Sequence, residues 1–205
     1  MAELGKIEKP TVESFGDKRK LYCLSCVYPV ENAPDEYKKL FDRYWDEAAQ
    51  QIDKLKVAGQ VKKIFCENVY TQGEEALNML AKINERALQI VKQKIDEGAV
   101  FLPIESEEIL GPFIDWGYCL RVVRTREVFT KILEFYSELS NKRLQHILNV
   151  IESNLLEGEA GLLVMGDEDR AKLQFPKDIE VFLVTPPSYD DILKLAREQL
   201  SNINK

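Results

Sequence analysis

Five short apolar runs separated by segments of helical period constrain this chain more than any other feature. They are "KLYCLSCVYPV" (20–30), "KKIFCENVY" (62–70), "AVFLPIES" (99–106), "GLLVMG" (161–166) and "DIEVFLV" (178–184). Runs that are apolar almost throughout, rather than alternating, read as strands buried on both faces. Strands interleaved with helices give a mostly parallel five-stranded sheet with helices on both faces. The expected fold is a single three-layer α/β domain over residues 19–205. Residues 1–18 are polar and aperiodic and are expected to form a flexible N-terminal tail.

The segments between the runs carry the helices. From Asp35 to Ala58, Tyr37, Leu40, Phe41, Tyr44, Trp45, Ala48, Ile52 and Leu55 recur at threes and fours. A second helix is expected from Gly73 to Glu97, with Glu74 and Glu75 at its start and Gly98 just past its end. Asn84 interrupts its apolar stripe and is expected to be a buried polar group with a specific partner. "EEILGPFIDWGYCLRVV" (107–123) contains Gly111–Pro112 and Gly117, which predict a broken helix or a lid-like connection. Residues 124–157 predict one or two helices with a kink at Ser140–Asn141. A short last helix is expected to take Ser188 as its N-cap.

Charge and motif content exclude several classes. The net charge is −7 over 205 residues, and no basic patch exists beyond short pairs and the Lys18–Lys20 cluster, so no nucleic-acid partner is expected. No apolar run approaches the roughly 18–20 residues a bilayer requires. The N-terminus lacks the apolar stretch of a secretory signal, so a cytoplasmic setting without membrane partners is expected. There is no G-x-S-x-G elbow, P-loop or G-x-G-x-x-G. The single histidine, His146, lies deep in a helical segment, which leaves no Ser/His or Cys/His pair. Cys23 and Cys26 form a lone CxxC without a second ligand pair, and the expected reading is structural thiols.

In an open parallel sheet, ligands gather beyond the carboxyl ends of the strands. Those ends read Tyr28–Glu31, Glu67–Asn68, Glu105–Ser106, Asp167–Asp169 and Thr185, so four of the five place a carboxylate at one end of the sheet. Two readings stand. Glu67, Asp167 and Asp169, with Glu105 nearby, form a hard oxygen set suited to Mg²⁺ or Mn²⁺. A strand-end glutamate plus Asp-x-Asp is similar to the Toprim phosphoryl-transfer domains, although "ENVY" lacks their glycine after the glutamate. Alternatively, the acidic residues are ordinary helix-capping residues, and Asp167–Asp169 begin one helical turn.

The second half, "NKRLQHILNVIESNLLEGEAGLLVMGDEDRAKLQFPKDIEVFLV", resembles the closing portion of the TraB/PrgY and ChaN-like superfamily. Members have a helix bearing an arginine, a strand ending in G-x-x-H, a loop and a final strand. Arg143 falls where the helical arginine would, Gly166 matches the glycine, and Glu67 in "IFCEN" resembles the strand-end glutamate. Asp169 takes the histidine's place, and the early G-T-x-H has no counterpart in "LYCLSCVYP". The resemblance thus implies a relative without the metal-hydrolase or haem-linked chemistry of that superfamily, binding no cofactor. What it leaves is a carboxylate–arginine site of Glu67, Glu105, Arg143 and Asp169, able to hold a small polar ligand or to act as a buried ion-pair network. A non-catalytic ligand-binding or regulatory module is the first expectation. A Mg²⁺- or Mn²⁺-dependent hydrolase or phosphoryl-transfer enzyme is the second, and a homodimeric scaffold joined through residues 124–157 the third.

Overall fold

The computed structural model describes residues 18–203. The tail expected over residues 1–18 therefore lies, Lys18 apart, outside the described residues. Five strands form one sheet: β1 (Arg19–Ser25), β2 (Val61–Cys66), β3 (Val100–Pro103), β4 (Ala160–Met165) and β5 (Ile179–Val184). Their order is β3-β2-β4-β1-β5 and every pairing is parallel.

Alternation along each strand divides the interior into two cores. Tyr22 and Leu24 of β1, Ile64 and Cys66 of β2, and Leu162 and Val164 of β4 face one side. That side is covered by α1 (Asp35–Lys54), α2 (Gly73–Ile83), α3 (Glu85–Asp96) and α7 (Pro187–Ile203). Leu21, Cys23, Phe65, Leu163 and Met165 face the other side, against Leu144, Ile147, Ile151 and Leu155 at the end of α5 (Arg126–Asn154). Burial on both faces explains the unbroken apolar runs of the central strands β1 and β4, whereas the edge strands β3 and β5 leave Val100, Val181 and Leu183 exposed. It also settles the CxxC geometrically. Cys23 lies in the α5-side core, Cys26 lies past the end of β1, and both are free. Burial pushes the Cys23 thiol up to about 12.

Three local expectations are corrected. The helix expected from Gly73 to Glu97 is two helices, because Asn84 is extended (φ −160°) and caps α3 by accepting from the Ala87 N–H. Its amide also donates to the Val27 carbonyl at 2.8 Å, which is the specific partner its burial requires. The stretch 107–123 is not broken: α4 runs from Glu107 to Val122 through Pro112. A helical proline costs about 3 kcal/mol. Ring stacking of Phe113 on Tyr136 (4.8 Å) and of Trp116 on Phe135 (5.1 Å) holds α4 along α5 against that cost. Of the one or two helices expected over 124–157 there is one, α5, of 29 residues. Ser188 lies inside α7 rather than at its N-cap and donates its hydroxyl to Glu47 at 2.6 Å. No described helix is long and apolar enough to cross a membrane.

Two consequences of this topology position the candidate site. The chain leaves β2 for helices on the first face, whereas from β3 it passes through α4 and α5 to the second. The carboxyl ends of β2 and β3 therefore flank a switch point, where such sheets open a crevice. In addition, α5 is far longer than the strands it covers. Only its second half packs on the sheet, so residues 126–142 extend about 25 Å past the strand ends at the usual helical rise. With α4 they form a helical hairpin overhanging the carboxyl edge.

Candidate functional site

At the base of that hairpin Arg143 is buried and surrounded by carboxylates. Its Nε donates to both Glu105 oxygens (3.1 and 3.0 Å) and its Nη2 to Glu105 Oε1 at 2.5 Å. Nη1 donates to Asp169 Oδ2 at 2.7 Å, and Glu67 Oε2 lies 3.7 Å from Nη2. The Phe113 ring lies 4.9 Å from the guanidinium carbon. Each partner comes from a different segment: the residue after β2, the approach to α4, and the turn after β4.

The carboxylates are further tied to the backbone. Glu67 Oε1 accepts from the Gly166 N–H (2.6 Å) and the Tyr28 hydroxyl (2.7 Å). Asn68 donates its backbone N–H to Glu105 at 3.0 Å and its side-chain amide to Tyr28 at 2.8 Å. It does so in the left-handed region (φ +64°), a strained conformation for a non-glycine residue held in place by these bonds. Burial makes Glu67 harder to ionise. The Tyr28 and Gly166 hydrogen bonds and the Arg143 charge oppose that effect without cancelling it, and the carboxyl is held above its usual range.

The strand-end residues are thus brought together in part. Glu67, Glu105, Arg143 and Asp169 converge, but mainly on one another. Asp167 stands apart, accepting from Ser25 (2.5 Å), Tyr189 (2.6 Å) and Arg170 (2.7 Å). Burial alone would raise its carboxyl, yet these donors outweigh it and hold the group below the ordinary carboxylate range. The reason lies in local geometry: Asp167–Arg170 form one helical turn, α6, and side chains two apart on a helix face different directions. The oxygen set Glu67, Asp167 and Asp169 expected for Mg²⁺ or Mn²⁺ is therefore split between two clusters. Among the described residues no three His, Cys, Asp or Glu side chains are grouped as a metal ion would need.

One accessible cleft lies beside the Arg143 cluster, sharing Phe113 and Tyr136 with it. The cleft, of about 520 Å³, opens at the β2/β3 switch point. Asn68 and Tyr70 follow β2 into one wall, and Met79 and Ile83 come from α2. The opposite wall is the α4 face bearing Phe113, Gly117 and Arg121, with Tyr136 from α5. Sequence reasoning missed these residues, apart from noting Asn68 at a strand end and Gly117 as a helix breaker. The spacing Phe113–Gly117–Arg121, one step per turn, was the available signal.

Gly117 is informative because a helix-interior glycine costs about 1 kcal/mol relative to alanine. A Cβ there would meet only Tyr136, at an ordinary 3.5 Å. Packing does not demand the glycine, and the missing side chain leaves the cleft open. The chain matches no protein-family profile, no curated protein and no solved structure.

Ionised Glu67 is disfavoured in the folded state, so its contribution to stability is fully present below the ordinary glutamate pKa. It is lost as pH rises through the raised value. Glu67→Gln is therefore expected to melt at or above the wild-type temperature near neutral pH, with the difference closing as pH falls below the ordinary glutamate pKa. Thermal unfolding across that range checks this; a variant several degrees less stable at neutral pH contradicts it.

Proposed function

We propose that the protein is a small-molecule-binding module whose ligand occupies the cleft at the β2/β3 switch point. In this reading the Arg143 cluster forms the rigid base of the site. The observation that carries it is the cleft itself, at the crevice position of a parallel sheet, kept open by a helix glycine that packing does not require. Binding rather than turnover is favoured because, among the described residues, the lining includes no carboxylate, histidine or thiol, and the nearby carboxylates are held by donors. The resemblance to the TraB/PrgY and ChaN-like superfamily supports the same end of the sheet. Its carrier residues are neighbours: Gly166 donates to Glu67, which faces Arg143.

Gly117→Leu tests the reading. It obstructs the cleft beside Tyr136 while improving helix propensity, so the variant is expected to fold with at least wild-type stability. A ligand-observed NMR fragment screen should give binders to the wild type that lose their signal with Gly117→Leu. Binders indifferent to that substitution, or none at all, would reject the proposal.

A second reading, a homodimer through the hairpin, has its own support. The stripe that packs α5 on the sheet continues by threes and fours from Leu144 through Ser140, Tyr136 and Leu133 to Phe129. Past the sheet, Phe129 and Leu133 are exposed. Arg124 and Arg126 are followed by Glu127, and Lys131 pairs with Glu134 of its own helix at 2.8 Å, so the apolar residues rather than the charges would form the seam. Sedimentation velocity should then show concentration-dependent dimerisation that Leu133→Glu abolishes. A wild-type monomer at every concentration rules the dimer out.

A further inference from the structure

We infer that the cleft is built for an organic anion: an apolar, ring-sized or chain-like body carrying one negatively charged head group. This inference rests on the ligand-cleft reading and names its ligand class. The cleft is graded. Met79 and Ile83 of α2 and Leu110 of α4 make one end aliphatic. Toward the rim on α4 lie Tyr118 and Arg121, with the guanidinium carbon 5.6 Å from the Tyr118 ring centre.

Among the described residues the exposed Arg121 is the one charged side chain in the lining, and no carboxylate lies within ion-pair distance of it. The contrast with Arg143 is chemical. Arg143 is enclosed by Glu105, Asp169 and Glu67, so its donors are committed. Arg121 keeps a planar fork of donors that suits a carboxylate, sulfonate or phosphate oxygen pair, at the mouth of an apolar slot. A neutral ligand would leave that fork unused, and a cationic one would be repelled by it. The inner rings are already paired: Phe113 lies between Tyr136 and Arg143. The ligand body would therefore meet ring edges and aliphatic groups inside, and at the rim the Tyr118 ring, 61% exposed with Arg121 over one face.

Two fluorescent probes of nearly equal shape test this: anilinonaphthalene sulfonate, which is anionic, and phenylnaphthylamine, which lacks the sulfonate. Both are titrated into wild type, Arg121→Gln and Gly117→Leu. The expected result is that Gly117→Leu loses both probes. Arg121→Gln should weaken the sulfonate by about tenfold, the usual size of one charge-assisted pairing, and leave the neutral probe unchanged. Displacement of the sulfonate by naphthoate or by decanoate then tells an aromatic body from an alkyl one. If Arg121→Gln affects the two probes equally, the anion assignment is overturned while the cleft stands. If neither probe responds to Gly117→Leu, the cleft reading itself is overturned.

Discussion

The ion-pair cluster of Arg143 is the interaction on which the carboxyl edge depends. Burying a guanidinium is costly, and that cost is recovered only where geometry is good and the remaining donors are satisfied. Here Glu105 takes the fork from one side, Asp169 takes Nη1, and Glu67 completes the ring at longer range. Because the carboxylates belong to three different segments, one arginine fixes the height and rotation of α5 relative to β2, β3 and β4. Lys172 also pairs with Asp169 at 3.0 Å, and Glu67, at the longest distance from Arg143 and held by Tyr28 and Gly166, is the carboxyl that burial makes reluctant to ionise.

Everything beyond that level follows from the placement. With Arg143 seated at the strand ends, the first half of α5 has no sheet beneath it, and α4 can pack only along it, through the Phe113–Tyr136 and Trp116–Phe135 stacks. The space left between that hairpin, the residues after β2 and the end of α2 is the cleft. The same overhang leaves Phe129 and Leu133 exposed. The two functional readings thus share one structural cause and differ in which surface of the hairpin is used.

The sheet was legible in the chain because β1 and β4, buried on both faces, have no polar phase, and because the edge strands β3 and β5 are apolar even where exposed; the five runs fall on the five strands. Asn84 was legible as an anomaly but not as a helix boundary, since its partner, the Val27 carbonyl, is distant in sequence. Pro112 and Gly117 pointed to a broken segment because local propensity argues that way; stacking against α5 overrides it. Strand-end position brought Glu67, Glu105 and Asp169 onto one short list, and the resemblance in the second half of the chain added Arg143 from its helix. Strand-end position could not separate Asp167 from Asp169, since that depends on the helical turn they form. It placed Tyr28 at a strand end without its partners Glu67 and Asn68, and it could not find Phe113 or Arg121, whose roles arise from how separate elements face one another.

The most direct test of this account is amide hydrogen exchange on Arg143→Met. Breaking a buried charge cluster from one side costs about 3–5 kcal/mol. The account predicts that the loss is concentrated at one end: faster exchange over residues 107–142 and at strand-end residues 67–70 and 104–106, with β1 and β4 keeping their relative protection. Unchanged exchange across the hairpin would contradict it, showing that something other than Arg143 holds α4 and α5 over the sheet.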